Sequence, residues 1–190
     1  MQPLITMEEY KKSVRYYAEE QKDYLFHNKG HEHAKIIFEN IFRTATKQIR
    51  IAAYNLWNSA VVNTPEYLGA LKSYLDKPDT KLQILLIEEP SINDVRSESS
   101  YNIYRMLYEH PAYQSGRVEI KCGEGKSFKK DDKTIHFCTA DGRMYRFESN
   151  PEQRSATCNF NDPNQTAILD SNFDRVFPQT TSVNLNTFFN

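Results

Sequence analysis

Two bounded apolar runs separated by a capped helix constrain the fold of this chain more than any other feature. QIRIAAY at 48–54 and KLQILLIE at 81–88 have strand length and strand composition. Between them, Thr64-Pro65-Glu66 sets a cap residue before a proline at the first helical position. Leu68, Leu71 and Leu75 then continue at helical spacing. A second amphipathic helix is predicted ahead of the first run, over 31–46. Its inward face is Ala34, Phe38, Ile41, Phe42 and Ala45, with Ile37 beside them. Strands that alternate with helices in this way pair in parallel through crossovers, the signature of an α/β fold.

The remaining chain extends that pattern. Thr6 and Glu9 form a T-x-x-E capping box, and a helix is predicted through Tyr10, Val14, Tyr17 and Ala18 to near Tyr24. His27 to Gly30 reads as a break. The stretch 55–63 reads as a loop carrying Trp57, the only tryptophan, and 90–100 as a second loop. Helical spacing returns over 101–108 and a strand over 117–122. A flexible, locally basic loop follows at 123–130. Strands at 134–140 and 143–147 flank Asp141-Gly142, a strong two-residue hairpin signal. One more strand at 156–160 precedes a last helix at 163–177. The predicted architecture is an α/β/α sandwich with a mixed, mostly parallel sheet and an extra N-terminal helix. The expected divisions are a helical extension at 1–28, the α/β domain at 29–178 and a tail at 179–190.

Composition bounds the function. The chain of 190 residues is 39% hydrophobic and 26% charged, with 12 Tyr and 11 Phe, so it is globular. Its formal net charge of -1 argues against general coating of nucleic acid, although a local basic site stays open. Cys122, Cys138 and Cys158 have no CxxC spacing, and three is an odd count; reduced thiols in a cytoplasm are expected rather than a disulfide or zinc framework. The first residues show no basic start followed by an apolar run, and no apolar stretch approaches the roughly 20 residues needed to cross a bilayer. Neither an exported nor a membrane-spanning protein is expected.

Several side chains are candidates for a site. His136 lies in a predicted strand, where Thr134 and Cys138 share its face. The alternative is a buried histidine held by one hydrogen bond. A Cys138–His136 nucleophile pair is disfavoured, because same-face strand neighbours stand roughly 7 Å apart. Tyr54, Asn55 and Trp57 follow the first apolar run, and Glu88 and Glu89 close the second. Ligands of open α/β sheets favour those carboxyl ends. Trp57 also suits a core or interface role. Lys121, Lys126, Lys129, Lys130 and Lys133 form a basic stretch suited to a phosphate-bearing ligand, diluted by Glu124, Asp131 and Asp132 and lacking P-loop spacing. His27, His31 and His33 cluster, but Asn28 and Gly30 interrupt helical metal-site geometry. No metal or cofactor is expected.

The order helix, IRIAAY, helix, LQILLIE, VEIKC and a hairpin on Asp141-Gly142 resembles one repeat of the phospholipase D superfamily over roughly 30–178. That family carries H-x-K-x-x-x-x-D-G, then a G-S-x-N element. With its Asp-Gly set on Asp141-Gly142, the family's histidine falls on Thr134 and its lysine on His136. Its serine falls on Ser149 and its asparagine position on Pro151. The stretch Cys158-Asn159-Phe160-Asn161-Asp162 resembles the close of such a repeat. The resemblance implies an attacking histidine, a lysine that steadies phosphoryl oxygens, and two repeats meeting to supply both acid and nucleophile. Thr134 lacks that chemistry. The expectation is therefore a non-catalytic binding or regulatory domain for a phosphate-bearing ligand or a protein partner, as a homodimer. Two alternatives stand beside it: a phosphodiesterase or nuclease with a rearranged His136 site at a dimer interface, in which Thr134, Asp141 and Ser149 take part, and a protein interaction module.

Overall fold

The structure is a computed structural model that describes residues 6–56, 60–96, 102–123, 128–130, 133–150, 153 and 155–189. Helix α1, Met7–Glu19, starts at the capping box: the Thr6 side chain accepts from Glu9 N–H, and the Glu9 carboxylate accepts from Thr6 N–H at 2.8 Å. It ends short of Tyr24, and Gln21 then turns the chain with φ 51°. The expected break at 27–30 is instead a short strand, β1, Phe26–Lys29, with Phe26 and Asn28 turned inward. FHNK has little intrinsic strand preference. Its pairing partners lie 126 to 132 residues downstream, so no local signal marks it.

Gly30, at φ 85°, opens α2, His31–Thr44. There follow β2, Gln48–Ala53; α3, Pro65–Leu75, capped by Thr64; and β3, Lys81–Leu86. The expected loop at 90–100 contains a short helix, α4, Ile92–Arg96. Then come α5, Ile103–Glu109, α6, Pro111–Gln114, and β4, Val118–Cys122. The predicted strand at 134–140 is divided. β5, Lys129–Lys130, and β6, Lys133–Thr134, form a separate two-stranded ribbon, and β7 runs His136–Ala140. The chain finishes with β8, Met144–Asn150; β9, Ser155–Asn159; α7, Pro163–Val176; β10, Thr181–Ser182; and α8, Asn186–Phe189.

The main sheet has the order β1-β9-β8-β7-β2-β3-β4-β10. It is mixed, as expected, but its parallel pairs are confined to β2–β3 and β3–β4, and the flanking strands pair antiparallel. Crossover helices force parallel pairing only in the first half; the DG hairpin and its neighbour turn the second half into a meander.

Helices cover both faces. On one, α1, α2, α3 and α5 bury Val14, Ile37, Ile41, Phe42, Leu71 and Tyr104 against Ile49, Ile51, Ile84 and Cys138. On the other, α7 buries Leu169 and Phe173 against Ala52, Leu85, Phe137 and Tyr145. Tyr10 and Val14 of the expected extension, and Val183 and Leu185 of the expected tail, are buried in the first of these cores. Among the described residues, no helix is long and apolar enough to cross a membrane.

Candidate functional site at the carboxyl ends of the central strands

The local chain path brings three of the expected residues together. Ile87 and Glu88 N–H both donate to Tyr54 O, at 3.1 and 3.0 Å, which ties the end of β3 to the end of β2. Asn55 Nδ2 donates to Glu88 Oε2 at 3.1 Å. Tyr54 is 47% exposed. β7 runs antiparallel to β2 with Phe137 opposite Ala52, so His136 opens β7 at the same end of the sheet. Trp57 and Lys126 lie outside the described residues.

His136 faces Glu148 across the β7–β8 pair, and its Nδ1 lies 3.2 Å from Glu148 Oε2. With the proton on Nδ1, the imidazole donates to the carboxylate and presents Nε2 outward. The other carboxylate oxygen, Oε1, accepts from Arg146 Nη2 at 3.1 Å. Arg146 is 3% exposed and Glu148 8%. The guanidinium lies over the Phe38 ring, 5.2 Å from its centroid. Its Nε is buried with no hydrogen-bond partner among the described residues. Burial alone would raise the Glu148 carboxyl, but the His136 hydrogen bond and the Arg146 charge outweigh it and hold the group below the usual carboxylate range.

That direction makes a pH prediction. A carboxylate depressed in the fold contributes stability that is complete above its unfolded value, 4.5, and is lost as pH falls through the folded value. Urea unfolding of the wild type is therefore expected to weaken more steeply on acidification than that of Glu148→Gln. Parallel slopes for the two proteins would show that Glu148 is not held in this way.

The other expected residues are dispersed. Thr134 pairs with Lys129 in the small ribbon rather than continuing the strand of His136. Cys138 does continue that strand, but it is buried and its thiol is pushed up to about 12 by that burial, so no thiolate forms beside His136 near neutrality. Ser149 is exposed at the irregular step between β8 and β9. Asp141 lies at the opposite end of the sheet, five residues and roughly 17 Å along β7 from His136. It is a structural residue there, since its carboxylate accepts from Thr46, Lys47 and Gln48 N–H at 2.8, 2.9 and 3.0 Å. His33 Nδ1 turns back to Lys29 O at 2.7 Å. Among the described residues, no three His, Cys, Asp or Glu side chains converge as metal ligands.

No family model and no curated protein matches the sequence. Solved structures do match the fold. NucT from Helicobacter pylori superposes with a TM-score of 0.58 at 11% identity over 85% of this chain and 100% of its own. Nuc from Salmonella typhimurium, a phospholipase D family member, gives 0.54 at 13% identity over 85% of this chain and 99% of its own. TrmBL2, an archaeal chromatin protein with a novel mode of DNA binding, gives 0.57 at 13% identity over 93% of this chain; the chain spans 64% of TrmBL2.

The chain has a phospholipase D-like fold. The position of His136, at the open end of β7 among the carboxyl ends of the central strands, follows from that topology together with the Asp141-Gly142 turn. The residues the sequence reading missed are Glu148 and Arg146. Their signal was the alternation Arg-x-Glu on the face of a strand that also carries Met144. In this structure that face is covered by α2, so two charges spaced by two residues there must pair with each other or with a neighbour.

Proposed function

We propose that the chain is a phospholipase D-like binding or regulatory module that recognises a phosphate-bearing group without turning it over. The observation that carries this reading is Arg146. It is the described cation bonded into the His136 row, and it is buried and committed to Glu148 and Phe38. Phosphoryl transfer needs a cation facing the phosphoryl oxygens as the nucleophile attacks. Here the hydrogen-bonded neighbour of the imidazole is the Glu148 carboxylate, which takes up Nδ1 and supplies no positive charge for the charge that develops on transferring phosphoryl oxygens. Thr134, where the family resemblance sets the attacking imidazole, is a hydroxyl in a separate ribbon. TrmBL2, which shares the fold, is a DNA-binding chromatin protein, and it supports a binding use of such a scaffold. Tyr54, Asn55, Glu88 and His136 form the described part of the binding face. The free, buried cysteines support a reducing, cytoplasmic setting.

The His136–Glu148 pair favours one other reading. A carboxylate on Nδ1 is the arrangement that orients an imidazole as a base or nucleophile through Nε2, and a phosphodiesterase would use it so. Incubation with bis-p-nitrophenyl phosphate separates the two. The expected result is no release of nitrophenol above buffer for the wild type, while shifts of backbone resonances near His136 on titration with inorganic phosphate are lost in His136→Ala. Nitrophenol release that disappears in His136→Ala would overturn the binding reading.

A further inference from the structure

Away from His136, the outer surface of α2 and α3 carries a second polar feature. Both helices run in the same direction, because each follows one of the strands β1 and β2 and precedes the next parallel strand. Between them lies an open groove of about 440 Å³, lined at one end by Glu39 and Glu66 and at the other by Arg43 and Lys77. Its floor is small: Gly69, Ala70 and Ser73 of α3 replace large side chains. A Cβ built on Gly69 meets nothing within 4 Å, so the groove is unfilled at its centre.

The charges in it are unusual for this chain. Elsewhere on α1, α2, α3 and α5, exposed acid–base pairs close ion pairs about one turn apart: Glu8–Lys12, Arg15–Glu19, Glu32–Lys35, Lys72–Asp76 and Arg105–Glu109. Glu39 and Arg43 have the same spacing, and neither they nor Glu66 makes an ion pair among the described residues. Lys77 is spent on Arg43 O and Ala45 O, where it closes the end of α2 and adds its charge to the basic end.

A groove with acid at one end and base at the other is half-mismatched to any partner of single charge sign. It is matched at both ends by itself turned through 180°. We propose that the α2–α3 face is the interface of a two-fold homodimer, in which Glu39 and Glu66 of one copy meet Arg43 and Lys77 of the other. The dyad crosses the groove near Gly69, where the absent side chain lets the two α3 helices approach. Two-fold closure makes every contact occur twice. Antiparallel docking of two parallel helix pairs also sets helix ends of opposite partial charge side by side. This surface is independent of the His136 reading.

Light scattering on the full chain across a concentration series tests it, with thermal melts as a control for folding. The wild type is expected to show a dimer that weakens as salt is raised. Glu66→Arg and Arg43→Glu are each expected to raise the dissociation constant about ten-fold or more, and the double variant to recover most of that loss. Gly69→Trp, at an open helical position, is expected to melt like the wild type and to remain monomeric. A wild-type monomer throughout the series, or a dimer indifferent to both reversals and to Gly69→Trp, would overturn the proposal.

Discussion

Arg146→Met is expected to cost about 3–5 kcal/mol of folding stability, the scale for breaking a buried ion pair by removing one partner. The physical reason lies with what remains. Methionine fills much of the same volume against Phe38, so little packing is lost. Glu148, however, keeps a charge in a site where it is 8% exposed and then has only His136 to answer it. The double variant Arg146→Met/Glu148→Gln should regain a large part of the loss, because no charge is left stranded. Urea unfolding of wild type, both single variants and the double completes the cycle. A single Arg146→Met within about 1 kcal/mol of wild type would mean that water, not Arg146, solvates Glu148.

Asp141→Ala is the second large effect, expected at about 2–4 kcal/mol. Two causes add. The carboxylate holds three consecutive N–H groups at the entry to β2 and also accepts from Thr46 Oγ1 at 3.1 Å. The backbone at Asp141 has φ 54°, a conformation that aspartate tolerates better than alanine. The Thr46 and Lys47 N–H groups are exposed enough for water to take over in part, which keeps the figure from rising further. Asp141→Gly separates the causes, since glycine relieves the backbone and still lacks the carboxylate. If Asp141→Gly unfolds at the same urea concentration as wild type, the hydrogen bonds contribute no more than the backbone strain that glycine relieves.

The sequence made the helix–strand order readable because its strongest signals are local. Thr64-Pro65, the Thr6–Glu9 box and Asp141-Gly142 each specify backbone geometry within a few residues, and each is found in the structure. Signals that depend on distant partners were not readable. β1 exists because Phe26 and Asn28 meet Cys158 and Ala156 across the sheet. The division of 134–140 into ribbon and strand depends on Lys129 and Lys130 folding back on Lys133 and Thr134, within a basic stretch whose composition reads as loop. The site was legible in part. His136, Tyr54, Asn55 and Glu88 share one end of the sheet, as their places in the strand order imply. Asp141 was grouped with them by motif alone, whereas an antiparallel strand of five residues carries its two ends to opposite edges of the layer. Glu148 and Arg146 escaped notice because a charged pair inside a strand reads as solvent-facing until the helix above it is known.

The edge formed by β1 and β9 has a consequence for synthesis. Tyr24 N–H donates to Asn159 Oδ1, and Asn159 Nδ2 donates to Asp23 Oδ1 at 2.7 Å, across 135 and 136 residues of chain. While the ribosome is still making the centre of the protein, β1 has nothing to pair with, and Phe26, against which Tyr10 and Tyr17 pack, has no Phe160 to settle against. The segment around β1 thus emerges long before its partner strand and is among the last to find its place, and a nascent chain halted before residue 155 carries an adhesive, unpaired strand.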